Sequence, residues 1–274
     1  MNQIVERYFR KDKLPHIWCP GCGHGIVLHQ IAKAINSLDL DKDNVCVVSG
    51  IGCSSRGPGY LDFDTLHTTH GRALAFATGI KLANPEMKVI IISGDGDASA
   101  IGGNHLIHAC RRNIDITTIV FNNNIYGMTG GQYSPTTPCQ DYGSTAPYGN
   151  IDRPFDIAKL AASAGATYSA RSTVSHTKEL QRYIEEGIEN EGFSVVEAMT
   201  MCPTSYGRKN KKGSPAQMMK LYKENYLDIN VFDKLPREKT EGKLEKGVFK
   251  NEEAPEYTNE YQKVIDGLRG DNNE

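Results

Sequence analysis

The stretch "IISGDGDASAIGGNHLIHACRRNIDITTIVFNNN", Ile91 to Asn124, carries the reading of the fold. Its first apolar run ends in Gly94-Asp95-Gly96-Asp97. A second run, "DITTIVFN" over 115–122, leads into three consecutive asparagines. Between them, Asn104 to Arg112 has the spacing of a crossover helix. Asp95 and Asn123 are 28 residues apart, about the length of one βαβ unit. Both runs are rich in β-branched residues and apolar on both faces, which is how central strands of a parallel sheet read. Each nevertheless finishes on oxygen-bearing side chains.

Working outward, "VCVVSG" (45–50), "MKVIIISG" (87–94) and "FSVVEAM" (193–199) have the same character. "HGIVLHQIAKAINSL" (24–38), "FDIAKLAASAG" (155–165) and "HTKELQRYIEEGIEN" (176–190) have helical spacing. "GRALAFATGIKLA" (71–83) is small and apolar nearly all round, and is expected to be a buried helix. The alternation predicts an α/β protein, a parallel sheet with helices on both faces. Residues 127–154 hold many Gly, Pro and Thr and no periodic segment; a loop that long in a compact domain is usually functional. After Tyr206 the composition turns basic and then charged. The expected division is a main domain over 1–205 and a partly helical C-terminal extension over 206–274. One helix of the extension is expected to start at Ser214-Pro215, a capping residue followed by proline at the first helical position.

The bulk composition excludes several classes. The 274 residues are 39% hydrophobic and 23% charged, with a net charge of −2. A nucleic-acid-binding protein should show a concentrated basic face. No stretch approaches the roughly 18 to 20 apolar residues that span a bilayer. The N-terminal "MNQIVERYFRKDK" lacks the apolar core of a signal peptide, so the cytoplasm is the expected compartment. Seven cysteines are many for such a chain. In a reducing compartment clustered cysteines point to metal or redox chemistry rather than disulfides. Cys46 and Cys110 lie inside apolar or helical patterns and read as core residues.

In open parallel sheets, ligands bind beyond the carboxyl ends of the strands, where both motifs of the opening stretch lie. The oxygens of Asp95 and Asn123 are hard ligands suited to Mg²⁺ or Ca²⁺, and Mg²⁺ commonly completes its shell with phosphate oxygens and water. Gly94 and Gly96 would let backbone come close to a phosphate, and the following helix would aim its N-terminal N–H groups there. A lone Gly-Asp-Gly is often only a turn. A dinucleotide site is a competing reading, but "GDGDAS" fails at the last glycine of G-x-G-x-x-G. A carboxylate facing a phosphate makes chemical sense only with a cation between them.

A second constellation is made of thiols. "WCPGCGHG" (18–25) holds Cys19 and Cys22, "GIGCSSR" (50–56) holds Cys53, and "TMCPTSYG" (200–207) holds Cys202. Four-cysteine zinc sites usually use two C-x-x-C pairs, and one is present here. A thioredoxin-like dithiol should open a helix after a strand, and "KDKLPHIW" is not a strand. One pair plus two distant cysteines would serve a 4Fe–4S cube. Spacing alone leaves cube and zinc open.

The Gly-Asp-Gly motif followed by Asn-Asn after a strand resembles the metal–diphosphate motif of thiamine-diphosphate enzymes. The resemblance implies that Asp95, Asn123 and the carbonyl of Ile125 hold the metal. Asn122 and Asn124 compete with Asn123 for that role, and alignment on "IYGMTGGQ" favours Asn123. More broadly, "WCPGCGHG", "GIGCSSR", "HTTHGRALAFATGIK", "GDGDASAIGGNH", "NNNIYGMTGGQYSPTT" and "CPTS" occur in that order. Together they resemble the β subunit of the 2-oxoacid:ferredoxin oxidoreductases, most closely the 2-oxoglutarate type, over roughly residues 10–210.

That resemblance implies the thiamine-diphosphate-binding fold and a 4Fe–4S cluster held by Cys19, Cys22, Cys53 and Cys202. Cys139 falls outside the pattern. The implied reaction is oxidative decarboxylation of 2-oxoglutarate with coenzyme A to succinyl-CoA and CO₂, with electrons passing through the cluster to ferredoxin. Pyruvate, branched-chain and aryl 2-oxoacids are the alternative substrates; a zinc-stabilised nucleotide-binding protein is the reading from another class. By placement, Ser54 and Ser55 contact the cofactor, and Asp97, Gly127 and Met128 join Gly94, Asp95 and Gly96 around it. Thr129 and Gln132 line the pocket. His70 donates to the diphosphate or to the substrate carboxylate, or else merely caps a helix. His24, beside the thiols, would hydrogen-bond a sulfur. Arg56 is the candidate to pair the second carboxylate of 2-oxoglutarate, because arginine offers a planar two-pronged match; Arg72 and Arg111 compete from helices. The chain has room for one sheet domain of ordinary size and shows no ferredoxin-like C-x₂-C-x₂-C-x₃-C-P run. The expected partners are therefore an α subunit bearing the pyrimidine-binding carboxylate and a ferredoxin or ferredoxin-like subunit, in a hetero-oligomer.

Overall fold

The computed structural model describes residues 3–270. Among these the strands are β1 (Val45–Ser49), β2 (Asp64–His67), β3 (Lys88–Gly94), β4 (Ile116–Asn122), β5 (Ile125–Tyr126), β6 (Gln132–Tyr133), β7 (Tyr168–Thr173), β8 (Phe193–Met199), β9 (Tyr226–Asp228) and β10 (Leu244–Asn251). The helices are α1 (Gln3–Tyr8), α2 (His24–Ser37), α3 (Ala73–Ala83), α4 (Gly103–Arg112), α5 (Ile157–Ala164), α6 (Thr177–Glu189), α7 (Pro215–Asn225), α8 (Ile229–Phe232), α9 (Arg237–Thr240) and α10 (Tyr257–Gly270).

Eight strands form one sheet in the order β2-β1-β3-β4-β8-β7-β10-β9. Neighbours from β2 through β7 run parallel, and β10 pairs antiparallel with β7. The expected parallel α/β sheet with helices on both faces is what forms. Each central strand sends alternate residues to two cores. Val45, Val47, Ile90, Ile92, Ile119 and Phe121 pack with residues of α2 and α6 on one side. Cys46, Val48, Val89, Ile91 and Val120 pack with residues of α3, α4 and α5 on the other. Burial on both faces is why these runs read as continuously apolar.

β7, "YSARST", is fully buried yet mostly polar. It survives there because its side chains are paired: Ser169 Oγ donates to the Ala158 carbonyl, Ser172 Oγ to Glu179, and the Arg171 guanidinium to Glu197. The segment after Tyr206 does more than form helices, since β9 and β10 extend the main sheet. Its α7 starts where expected, with Ser214 and Gln217 closing a reciprocal capping box. One expectation is corrected. α3 is not buried all round: Phe76 and Leu82 are 49% and 42% exposed. The helix packs only one face on the sheet, and its other apolar face is open.

Candidate cofactor site

In the strand order β1-β3-β4-β8, the four central carboxyl ends stand side by side. The turns that leave them, 50–55, 94–97, 122–125 and 200–202, therefore converge. Twelve residues were expected around the cofactor, and all but Ser55 line one cleft at this edge: Ser54, His70, Gly94, Asp95, Gly96, Asp97, Asn123, Ile125, Gly127, Met128 and Thr129. His24, Ile51, Gly52, Cys53, Phe121 and Tyr126 complete its wall. The cleft encloses only about 110 Å³, below the roughly 300–1,000 Å³ of a whole small-molecule site.

Asp95 is 3% exposed. One carboxylate oxygen accepts from Ser134 Oγ at 2.6 Å and Thr136 Oγ1 at 2.7 Å. Burial pushes its pKa up to about 6, partly offset by those hydroxyls and by the Asp95 and Asn123 backbone N–H groups. A carboxylate held in so dry a place is short of positive charge, which a cation would supply. The three asparagines separate cleanly. Asn122 is occupied: its amide donates to Glu197 at 2.7 Å, and its oxygen accepts from Thr136. Asn124 sits in the left-handed region at φ +60°, its carbonyl taken by Thr137 Oγ1. Asn123 faces the cleft, with Oδ1 accepting from the Ile125 N–H at 3.2 Å.

Asp97 is equally buried but serves differently. Its carboxylate accepts from the Gly71 N–H at 2.7 Å, the Ile51 N–H at 3.3 Å, Ser93 Oγ at 2.8 Å and His70 Nδ1. It ties the turn after β1, the end of β3 and the loop before α3 together. A side chain at Gly50 would place its Cβ 2.1 Å from the Asp97 carboxylate. His70 is thus neither a helix cap nor free: its Nδ1 is spent on Asp97, and its ring stands edge-on to Tyr126, leaving Nε2. Gly96 is required by close approach, since a Cβ there would lie 2.2 Å from the Tyr126 ring.

Two buried hydroxyls, Ser54 Oγ and Ser55 Oγ, have no hydrogen-bond partner among the described residues. An unmade buried hydrogen bond costs about 1–3 kcal/mol. At Ser54, in the cleft wall, a ligand oxygen would relieve it. This orphan donor and the buried Asp95 carboxylate, short of positive charge, fit a diphosphate–metal group.

The four thiols gather beside this cleft. A Cβ on Gly127 would lie 3.4 Å from Cys53 Sγ and 3.5 Å from Cys202 Sγ. Burial pushes the Cys22 thiol up to about 12, and Cys202, Cys53 and Cys19 raise it further. Burial likewise pushes Cys53 up to about 11, with Cys202 and Cys19 adding. So Cys22 and Cys53 each lie within electrostatic reach of both Cys19 and Cys202. Yet among the described residues no three His, Cys, Asp or Glu side chains form a group that could hold one metal ion. His24 is 1% exposed and its Nδ1 lies 3.2 Å from Cys22 Sγ. Burial pushes its pKa down to about 3.

Other expected residues fall outside the cleft wall. Arg56 is exposed on the turn Ser54–Tyr60. Gln132 donates to the Thr129 carbonyl and accepts from Thr129 Oγ1. Arg72 donates to the Ile101 carbonyl, and Arg111 is exposed. Cys139 is exposed, while Cys46 and Cys110 are buried. Sequence reading missed Ser93, Tyr126, Ser134 and Thr136. The last two stand in "QYSPTTP", a hydroxyl cluster within the long loop, which was the available signal.

The family model described as thiamine pyrophosphate enzyme, C-terminal TPP binding domain, matches residues 50–198. The 2-oxoglutarate synthase subunit KorB of Methanothermobacter thermautotrophicus is 53% identical over 264 residues, covering 96% of this chain and 92% of its own. The subunit of the same name from Methanocaldococcus jannaschii is 52% identical, covering 97% and 98%. A solved 2-oxoglutarate:ferredoxin oxidoreductase from Magnetococcus marinus, with 2-oxoglutarate, coenzyme A and succinyl-CoA bound, superposes with a TM-score of 0.86. It is 33% identical and covers 96% of this chain and 90% of that chain.

Proposed function

The chain belongs to the family of 2-oxoacid:ferredoxin oxidoreductase β subunits of the 2-oxoglutarate type, and on that premise we propose that it carries the cofactor site of an oxygen-independent oxidative decarboxylase. The reaction is 2-oxoglutarate plus coenzyme A to succinyl-CoA and CO₂, with two electrons passed through a 4Fe–4S cluster to ferredoxin. The observation that carries this is the cleft where Asp95, Asn123 and Ile125 meet the unpartnered hydroxyl of Ser54.

Thiamine diphosphate, when bound, supplies the nucleophilic carbon and the electron sink of the decarboxylation. The chain's own residues bind and orient it. Asp95, the Asn123 side chain and the Ile125 carbonyl would hold Mg²⁺ with the diphosphate, in the mode of Mg²⁺ sites completed by phosphate oxygens. Ser54 would donate to a diphosphate oxygen. Ser134 and Thr136 keep the Asp95 carboxylate aimed. Asp97 keeps His70 Nδ1 engaged, so Nε2 is the ring atom left for substrate or cofactor. Met128 and Thr129, exposed at the rim, would face the substrate. Arg56 would pair the distal carboxylate of 2-oxoglutarate, charge that is costly to leave unpaired once covered.

Cys19, Cys22, Cys53 and Cys202 would hold the cluster. Four-cysteine zinc sites usually use two C-x-x-C pairs, and this chain offers one, Cys19 and Cys22. One such pair with two distant cysteines would suit a 4Fe–4S cluster better. All seven cysteines are free, as a reducing cytoplasm keeps them, and no helix among the described residues is long and apolar enough to cross a membrane. Residues 1–205 would hold both cofactor sites in this reading, with 206–274 as the extension that adds β9 and β10 to the sheet.

The small cleft also argues for a partner. Asp95 and Asp97 are both committed, so the carboxylate for the pyrimidine end must come from another subunit. The open apolar face of α3, which follows directly from His70, is the surface we assign to that α subunit. Ferredoxin or a ferredoxin-like subunit takes the electrons. The test is calorimetric titration of the purified complex with thiamine diphosphate and Mg²⁺, with viologen reduction by each 2-oxoacid as the activity. We expect Asp95→Asn to weaken cofactor binding at least about 100-fold. Unchanged binding would end the proposal.

A further inference from the structure

His24 opens α2 two residues after Cys22. Its ring is buried, edge-on to Phe121 at 5.2 Å and tilted against Trp18 at 5.7 Å. It is held there by the residue between. A Cβ on Gly23 would lie 2.3 Å from Thr200 Oγ1 and 2.9 Å from Val174 Cγ1, so the backbone at Gly23 is pressed against the turns after β8 and β7. Cys22 and His24 have little freedom to part. The same imidazole lines the cofactor cleft while its Nδ1 lies 3.2 Å from Cys22 Sγ.

We propose that His24 is a positioning residue for electron transfer: its Nδ1–H donates to the cluster-bound thiolate of Cys22 and sets the cluster's reduction potential. The inference rests on the four-thiolate reading above. The chemical reasoning is short. A metal-bound thiolate only accepts hydrogen bonds, so the proton between the two groups belongs to Nδ1. Reducing the cluster by one electron adds negative charge to the sulfurs, and a fixed N–H dipole in a dry site stabilises that charge more in the reduced than in the oxidised state. The potential is raised, which favours uptake of electrons from the cleft. No bond forms or breaks at His24, and no proton leaves it.

The experiment is an EPR-monitored redox titration of the intact complex, kept anaerobic, with iron content measured alongside. His24→Phe fills the space without a donor. It should retain iron and visible absorbance, while its midpoint potential falls by the equivalent of about tenfold in the reduction equilibrium, the scale of one charged hydrogen bond. His24→Asn, whose amide nitrogen can stand near the Nδ1 position, should recover most of the loss. An iron-replete His24→Phe complex with the wild-type potential would overturn the inference. If that variant loses its iron, pulsed EPR on the wild-type complex grown with ¹⁵N-histidine decides. A histidine nitrogen coupled to the reduced cluster supports it, and none overturns it. An iron-free wild-type complex would instead overturn the cluster reading itself, and this inference with it.

Discussion

Asp95 and Asp97 lie two positions apart in one turn, are equally buried, and do unlike work. Asp97 meets four donors from its own chain, so its charge is satisfied internally and it acts as a brace. Asp95 meets two hydroxyls, and its carboxyl stays raised to about 6; it is the aspartate left wanting a cation. Nothing in "GDGD" distinguishes them, because the donors come from residues 51, 70, 71, 93, 134 and 136. Among Asn122, Asn123 and Asn124, alignment on "IYGMTGGQ" already favours Asn123; the structure adds that Glu197 and Thr136 engage the Asn122 side chain while Asn123 lines the cleft. Arg56 belongs to this scale too. Replacing it with alanine should raise the KM for 2-oxoglutarate about 10- to 100-fold, the loss of a charged hydrogen-bonded pair, with little change for pyruvate. Steady-state kinetics on both acids checks this, and an equal loss for the two would remove Arg56 from the role.

At the scale of elements, β8 and β7 are locked by a buried ion group. Glu197 accepts from Arg171 Nε at 2.7 Å, from Asn122 Nδ2 at 2.7 Å and from the Ala158 N–H at 3.3 Å, and Arg171 also pairs with Asp156. Removing one partner leaves a charge buried alone. Glu197→Ala should therefore cost about 3–5 kcal/mol in urea unfolding, and a cost below about 1 kcal/mol would contradict the account. The C-terminal helix is tied in more lightly. Burial raises the Glu256 carboxyl, but the donors Thr258, Asn259 and Asp115 outweigh it and hold the pKa below its ordinary 4.5. A depressed carboxyl stabilises the fold above the unfolded pKa and loses that contribution as pH falls. So α10 amides should exchange faster as pH drops below about 4.5, once intrinsic exchange is corrected for, and Glu256→Gln should flatten that response. Helix ends were readable here: Ser214-Pro215 at the start of α7 and the left-handed Gly165, at φ +109°, at the end of α5, are local signals. β7 was not readable, because its polar side chains are satisfied by residues far along the chain.

For the whole molecule, the open face of α3 matters most. The segment reads as buried because it is apolar nearly all round, yet Phe76 and Leu82 stand exposed. We expect Phe76→Glu to leave the chain folded, since the position is already solvated, but to block assembly with the α subunit. Native mass spectrometry of co-expressed subunits measures it, and a normal hetero-oligomer would refute this placement. The β10 strand is the other feature visible only at this scale. Three of the eight residues of its "LEKGVFKN" are charged, and it becomes a strand because β7 presents a free edge to it.

The sequence by itself determined the four central strands, their crossover helices and the place of the cleft. Strands buried on both faces must be apolar throughout, and ligand oxygens must follow their carboxyl ends. Tertiary structure alone decided which donors surround Asp97, which hydroxyls meet Asp95, and which apolar helix face stays open. Those outcomes depend on donors and neighbours delivered from distant segments, and no local pattern encodes where a distant hydroxyl will point.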